Sequence, residues 1–328
     1  MPQALGAFSG VMLLCLATAT AWAQAPTRVA CAGAPVALPA LDSTQLMTDL
    51  SVLAADSMEG RRVGTPGGAR ARRYLRSRFA AIGIDTLPGG MIQPFPVPGT
   101  AGEAANVVGF VPGQGRVGRI ILVTAHYDHL GVVANAIYNG ADDNASGTAA
   151  LLAMASWFKA NPPANTVMFA ALDGEEEGLL GADAFVKAGS VNRDSILIDI
   201  NLDMVSRSEK RQLFAVGPVR FPGLVPYLQR TACSAGVNLM LGHDKGWPAT
   251  EDWTSQSDQG VFNAAGVPFV YFGVEDHADY HQPTDDVRGI DPGFFVGSAR
   301  AITLFTSLLD ASPSAAAAVR PAGKGTNR

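Results

Sequence analysis

Four short apolar runs, each delivering a histidine or an acid at its end, alternate along this chain with stretches of helical spacing. Residues 119–125 are rich in β-branched side chains and stop at His126. Residues 166–172 lead into Asp173-Gly174-Glu175-Glu176, residues 196–202 stop at Asp203, and residues 267–272 precede the loop from His277 to His281. Runs of this length and composition suit strands buried on both faces. Between the first two, residues 145–160 set Leu151, Leu152 and Ala155 at helical spacing in an Ala- and Leu-rich background. Upstream, Leu46, Leu50, Leu53 and Ala54 predict a helix capped by Asp42 or Ser43. Ala71, Tyr74, Leu75, Phe79 and Ile82 predict another, closed by Gly83, with the Gly-rich stretch Gly60 to Gly68 as the break between them. The alternation predicts a single three-layer α/β domain over residues 42–310, its central sheet mixed but mostly parallel and flanked by helices on both faces. In such sheets ligands gather beyond the carboxyl ends of the strands. His126, Glu176, Asp203 and His281 all fall there.

Composition narrows the partners and the compartment. Hydrophobic residues make up 48% of the 328 and charged residues only 16%, enough for a buried core and too apolar for general disorder. A net charge of -5 leaves no broad basic surface, so nucleic acid is not an expected partner. Residues 1–23 carry no charge, contain the apolar run Val11 to Ala17 and end in Ala21-Trp22-Ala23. This reads as a signal peptide cut near Gln24, giving a periplasmic or secreted protein. The run is shorter than the roughly 20 residues a span requires, and no stable membrane insertion is expected. Removing it takes Cys15 away and leaves Cys31 and Cys233, a pair that one long-range disulfide would absorb. Residues 24–41 read as an extended leader, and residues 311–328, rich in Ala, Pro and Ser, as a disordered tail.

The acids and histidines divide into roles by position. His126 and Asp128, two apart at a strand end, point to one side, which suits a metal-binding imidazole backed by a carboxylate; His129 reads as loop structure. Asp142-Asp143-Asn144 precede a helix, where Asp142 or Asn144 can support the backbone while Asp143 bridges two cations, since two carboxylate oxygens can bind metals about 3.5–4 Å apart. Of Glu175, Glu176 and Glu177, one is expected to coordinate and one to act as general base, and spacing does not assign them. Asp203 is a lone acid in an apolar run, costly to bury without a partner or a metal, whereas Asp199 reads as facing elsewhere. His281 sits in a turn-rich loop suited to presenting a ligand, with His277 as its competitor. His243, in a Gly-Trp-Pro loop, suits a pocket wall or the surface equally. His126, Asp143, Glu176, Asp203 and His281 together supply one shared carboxylate and two further ligands for each of two cations.

Taken jointly, these blocks resemble peptidase family M28, the co-catalytic di-zinc aminopeptidases. The stretches that carry the resemblance are Gly60 to Gly68, Ala125 to Gly131, Gly140 to Gly147, Glu175 to Gly181, Asn201-Leu202-Asp203-Met204 and Tyr280 to Asp285. The resemblance implies a zinc aminopeptidase-like (phosphorylase/hydrolase-like) fold and two Zn2+ per chain. It places His126 and Asp203 on one zinc, Glu176 and His281 on the other, and Asp143 between them. It further implies Glu175 as general base, Asp128 as the orienting acid behind His126, and peptides with a free N-terminus as substrates. Family members often carry Ser-Asp-His where this chain has Ser257-Asp258-Gln259. Two alternatives share the resembling fold: a single-zinc glutaminyl-cyclase-like acyltransferase, of which Asp173-Gly174-Glu175-Glu176 is reminiscent, and a binding module without catalysis, which is expected to have lost ligands. A carboxypeptidase of the related two-metal type needs an inserted domain for which the interval between Asp203 and His281 leaves little room.

Overall fold

A computed structural model of the chain describes residues 25–322, apart from 100–101, 116–117 and 248–249. The expected signal peptide lies outside the described residues. In chain order the elements that matter are strand β1 (Thr27–Arg28), helices α1 (Ser43–Leu53) and α2 (Pro66–Ile82), and strands β2 (Ile92–Phe95), β3 (Ala104–Val111) and β4 (Ile120–His126). The short hairpin β5 (Gly131–Val133) and β6 (Ala136–Tyr138) follows, then α3 (Gly147–Ala160), β7 (Thr166–Leu172), α4 (Leu180–Ala188), β8 (Ile196–Leu202), β9 (Gln212–Val216), α5 (Val225–Ala232), β10 (Asn238–Leu241), α6 (Gln259–Ala264), β11 (Phe269–Gly273), α7 (Pro292–Asp310) and α8 (Ala315–Ala318). Among the described residues nine strands form one sheet in the order β1-β10-β9-β11-β8-β4-β7-β3-β2. Its centre, β11-β8-β4-β7, is parallel throughout, while the β1, β3 and β2 pairings and the β11-β9 pairing are antiparallel. The sheet is therefore mixed, with the parallel centre that the alternation of runs predicts.

Period-two alternation decides which side chains enter which layer. Along β4, Ile121, Val123 and Ala125 join the large core beneath α1, α2, α3 and α7, while Leu122 joins a second core with Met168, Ala170, Phe185 of α4 and Phe262 of α6 on the other face. Helices thus cover both faces and bury the four central strands, which is why these strands read as unbroken apolar runs. The helix ends follow the signals in the sequence. Asp42 accepts a hydrogen bond from Gln45 N at the start of α1, Thr65 and Pro66 open α2, and Gly83, at φ 77°, closes it. The Gly-rich stretch is shorter as a loop than expected, because Pro66 to Gly68 already belong to α2. Helix α7 is long and apolar enough to cross a membrane, but Phe294, Phe295, Ile302, Phe305 and Leu309 are buried in the main core.

The leader is bound to the domain: β1 adds to the edge strand β10, Val29 and Leu41 are buried, and Cys31 is disulfide-bonded to Cys233 after α5. At the other end, the expectation of disorder from residue 311 is corrected as far as residue 322. Ala315 and Ala318 of α8, with Val319, bury their side chains in the main core. The tail packs closely here, since a Cβ at Gly223 would lie 2.6 Å from the Ala318 main chain.

Candidate metal centre

The carboxyl ends of β4, β7, β8 and β11 lie side by side, and each hands a polar side chain to the space above the sheet edge. β4 ends at His126, whose carbonyl accepts a hydrogen bond from Thr148 Oγ1 of α3 at 2.7 Å, fixing the strand end to the helix. β8 ends one residue before Asp203, and Asp203 N donates to Phe272 O of β11. The loop after β11 carries His281, at φ 54°, its ring stacked on Tyr280 with centroids 3.9 Å apart. Before α3 the segment Ala141–Ser146 forms a distorted turn that presents Asp143. Its neighbours hold it in place, since Asp142 accepts from Ser206 N and Oγ, Asp285 accepts from the main-chain N–H groups of Asp142 and Asp143, and Asn144 donates to Leu202 O.

These elements bring His126, Asp143, Glu176, Asp203 and His281 together. His126 Nε2 stands 3.2 Å from Asp203 Oδ1 and 3.5 Å from Asp143 Oδ1. His281 Nε2 stands 3.1 Å from Asp143 Oδ2 and 3.3 Å from Glu176 Oε2. Asp143 therefore turns one oxygen to each histidine, and each histidine has a second carboxylate of its own. Nitrogen and oxygen ligands about 2.0–2.1 Å from a tetrahedral zinc stand about 3.3 Å from one another. The four separations match that spacing, so the donor set fits two such ions with Asp143 between them.

The remaining acids surround this set in distinct ways. Glu175 offers an oxygen within 4.8 Å of ligand atoms of both His126 and Asp203. Asp128 accepts from Glu175 N at 3.0 Å and Glu176 N at 3.3 Å, so it sets the turn that carries both glutamates. Its link to His126 runs nearer through the main chain, with His126 Nδ1 3.3 Å from Asp128 O and 3.7 Å from its carboxylate. Glu177 leaves the cluster for an exposed ion pair with Arg62. Asp199 does face elsewhere, accepting from Thr124 Oγ1 within a buried polar group that includes Asn201, Ser257 and Gln259. His277 Nε2 lies 3.2 Å from Asp142 Oδ2, and His243 stacks on Trp253 at 3.5 Å. Trp253 in turn lines the cleft over the cluster with Met204, Tyr271, Val274 and Tyr280.

His129 is the residue that sequence reasoning passed over. It is fully buried, and its Nδ1 lies 2.7 Å from Glu176 Oε1. That is too close for two ligands of one zinc and right for a hydrogen bond, which leaves Glu176 Oε2 to face His281. The signal lay in its spacing, one residue beyond Asp128, but only the fold of the 139–144 turn shows that the ring points inward. A side chain at Gly140 would meet the His129 ring at 2.5 Å.

So many acids in one place shift their neighbours. Burial depresses the His126 imidazolium, yet Asp203 and Glu175 outweigh it and raise its pKa well above the ordinary value. Hydrogen bonds to Asp143 and Glu176 push His281 up to about 10. Burial lifts Glu175 well above the usual carboxylate range. Glu176 is also pushed up by burial, but the hydrogen bonds with His129 and His281 prevail and hold it well below. Without a cation, the protonated imidazoles supply the positive charge that the carboxylates demand.

The family model for peptidase family M28 matches residues 106–306. The chain belongs to peptidase family M28. An M28 relative, the alkaline phosphatase isozyme conversion protein of Escherichia coli strain K12, is 29% identical over 63% of this chain and 66% of its own length. Aminopeptidase YwaD of Bacillus subtilis strain 168 is 39% identical over 52% of this chain and 37% of its own. The chain thus matches between about a fifth and two thirds of the length of such relatives. Among solved structures, an aminopeptidase from Aneurinibacillus sp. strain AM-1 shares the fold with a TM-score of 0.68 at 15% identity, covering 86% of this chain and 95% of that one. A glutaminyl cyclase from Porphyromonas gingivalis does so with a TM-score of 0.66 at 16% identity, covering 82% and 99%. The M28 match spans every candidate ligand from His126 to His281.

Proposed function

We propose that this protein is a zinc-dependent aminopeptidase that removes N-terminal residues from peptides, with His126 and Asp203 holding one ion, Glu176 and His281 the other, and Asp143 shared. The observation that carries this reading is the division of Asp143, one oxygen toward His126 and the other toward His281, at distances suited to common ligation. Zinc so held supplies Lewis-acid chemistry, polarising a carbonyl oxygen and making water acidic enough to attack near neutral pH. Glu175 accepts the proton of the attacking water and returns it to the leaving amine. Its burial, which raises its affinity for a proton above that of an ordinary carboxylate, suits it to both steps. Asp128 holds Glu175 and Glu176 through their main-chain N–H groups and so keeps base and ligand in register. Asp276 lines the same cleft and is assigned to neither ion, which leaves it as a carboxylate that can pair with the ammonium end of a peptide.

The fold is equally that of glutaminyl cyclases, so the test must separate the two chemistries. The metal-stripped protein is assayed before and after titration with Zn2+ against aminoacyl-nitroanilides, free-amine peptides, N-acetylated peptides and peptides beginning with Gln. Release of amino acids from free-amine peptides alone, maximal at two equivalents of zinc, is expected. Pyroglutamate formation, or full activity at one equivalent, overturns the reading. We further propose that the chain works outside the reducing cytoplasm, since Cys31 and Cys233 are disulfide-bonded.

A further inference from the structure

Arg61 is among the largest fully buried side chains of the described residues and stands in the Gly-rich stretch that the chemistry above leaves unused. Its main chain has φ 54°, a left-handed conformation that a residue with a Cβ takes at a cost. The preceding Gly60 is wedged so tightly that a Cβ there would lie 2.3 Å from Tyr138 O and 2.7 Å from Gly131 Cα. The loop is thus pressed onto the hairpin that links the His126 strand to the Asp143 turn. From this position the guanidinium makes four hydrogen bonds, all to main-chain carbonyls. Nε donates to Tyr127 O at 2.7 Å, Nη1 to Leu53 O at 2.7 Å and Asn139 O at 2.6 Å, and Nη2 to Gly140 O at 2.9 Å.

Among the described residues Arg61 has no carboxylate in ion-pair contact, although burying an unpaired charge is costly. The acceptors show what is obtained for that cost. Tyr127 lies between His126 and Asp128, and Asn139-Gly140 lead directly into the turn bearing Asp143. One planar, five-donor group therefore spans the two segments that must approach for His126 and Asp143 to share a cation. No other side chain has both the reach and the number of donors; a lysine in its place has three donors on a single atom.

We propose that Arg61 is a positioning residue of the cation site, a clamp that fixes the His126 strand end against the Asp143 turn so that their ligand atoms stand ready before any ion arrives. The proposal rests on reading this cluster as a cation site, and the test keeps the two apart. Co2+ is titrated into the metal-stripped full chain and followed by its visible absorption, for the wild type, Arg61→Lys and the distant core variant Leu46→Ala, with melting temperatures recorded in EDTA. Arg61→Lys is expected to weaken Co2+ binding about 10- to 100-fold, the range for removal of an outer support of metal ligands, while Leu46→Ala loses melting temperature and keeps its affinity. Wild-type affinity in a folded Arg61→Lys protein overturns the clamp. No binding by the wild type overturns the cation site itself.

A second measurement needs no variant. Because coupling is reciprocal, Co2+ binding to the wild type is expected to slow amide exchange in residues 53–62, a segment that supplies none of the five ligands. Unchanged exchange there, with slowed exchange around residues 126 and 143, overturns the proposal even where Arg61→Lys does not fold.

Discussion

His129 Nδ1 approaches Glu176 Oε1 to 2.7 Å, so one oxygen of this glutamate is held by protein and the other is left for the cleft. Asn places a donor where His has Nδ1, whereas Leu fills the space without one. His129→Asn is therefore expected to retain most of the zinc affinity and His129→Leu to lose about 10-fold or more, measured by competition with a chromophoric chelator. Equal affinities in the two variants would show that the hydrogen bond has no part in binding.

Replacing Glu175 with Gln keeps the shape and removes the proton acceptor. Zinc content is expected to stay at the wild-type value while kcat falls about 10²- to 10⁴-fold. Metal analysis alongside steady-state kinetics checks both halves, and loss of zinc in the variant would instead place Glu175 among the ligands.

His281 takes its proton at about 10 in the cation-free protein and near 6.5 when unfolded. A raised imidazole pKa contributes stability that is present in full below pH 6.5 and is lost as pH rises through 10. Cation binding must displace this proton, so affinity is expected to climb with pH across that window. Calorimetric titrations at pH 7 in two buffers of different ionisation enthalpy are expected to report net proton release, and buffer-independent heats would contradict it.

Asp258 is fully buried, neither of its oxygens has a hydrogen-bond partner among the described residues, and burial pushes it up to about 7. The folded chain holds this proton where the unfolded chain, titrating near 3.8, has released it. Stability therefore falls as pH rises from about 4 to 7. Asp258→Asn removes that loss and is expected to raise the melting temperature of the metal-free protein more at pH 8 than at pH 4. An equal shift at both values would mean the carboxyl is already paired.

The Cys31–Cys233 disulfide closes a loop with a sequence separation of 202 and holds β1 against the sheet edge. The double serine variant is expected to lose about 2–4 kcal/mol, the usual range for removing such a bond, with faster amide exchange in residues 26–41. Calorimetry and exchange mass spectrometry measure these, and wild-type values would show that main-chain pairing alone holds the leader.

Much of this was legible locally. The apolar runs at β4, β7 and β8 declare themselves because burial on both faces admits little but apolar side chains, and Asp42, Pro66 and Gly83 mark helix ends by chemistry acting within one turn. The polar residues at the strand ends were legible for the same reason, as charges that have no business beside a core unless something binds them. Sequence adjacency could not say that Glu177 turns out to Arg62 while Glu175 and Glu176 turn in, that Asp128 grips the glutamate turn more directly than the His126 ring, or that His129 faces inward. It also could not show Arg61 reaching Tyr127 and Gly140 at once, or a tail of alanines finding a place in the core. By itself, then, the sequence determined the alternation of elements and the stock of ligands. Tertiary structure alone decided their directions, because where a side chain points beyond a strand end depends on hydrogen bonds and packing with segments far along the chain, and no local periodicity encodes those partners.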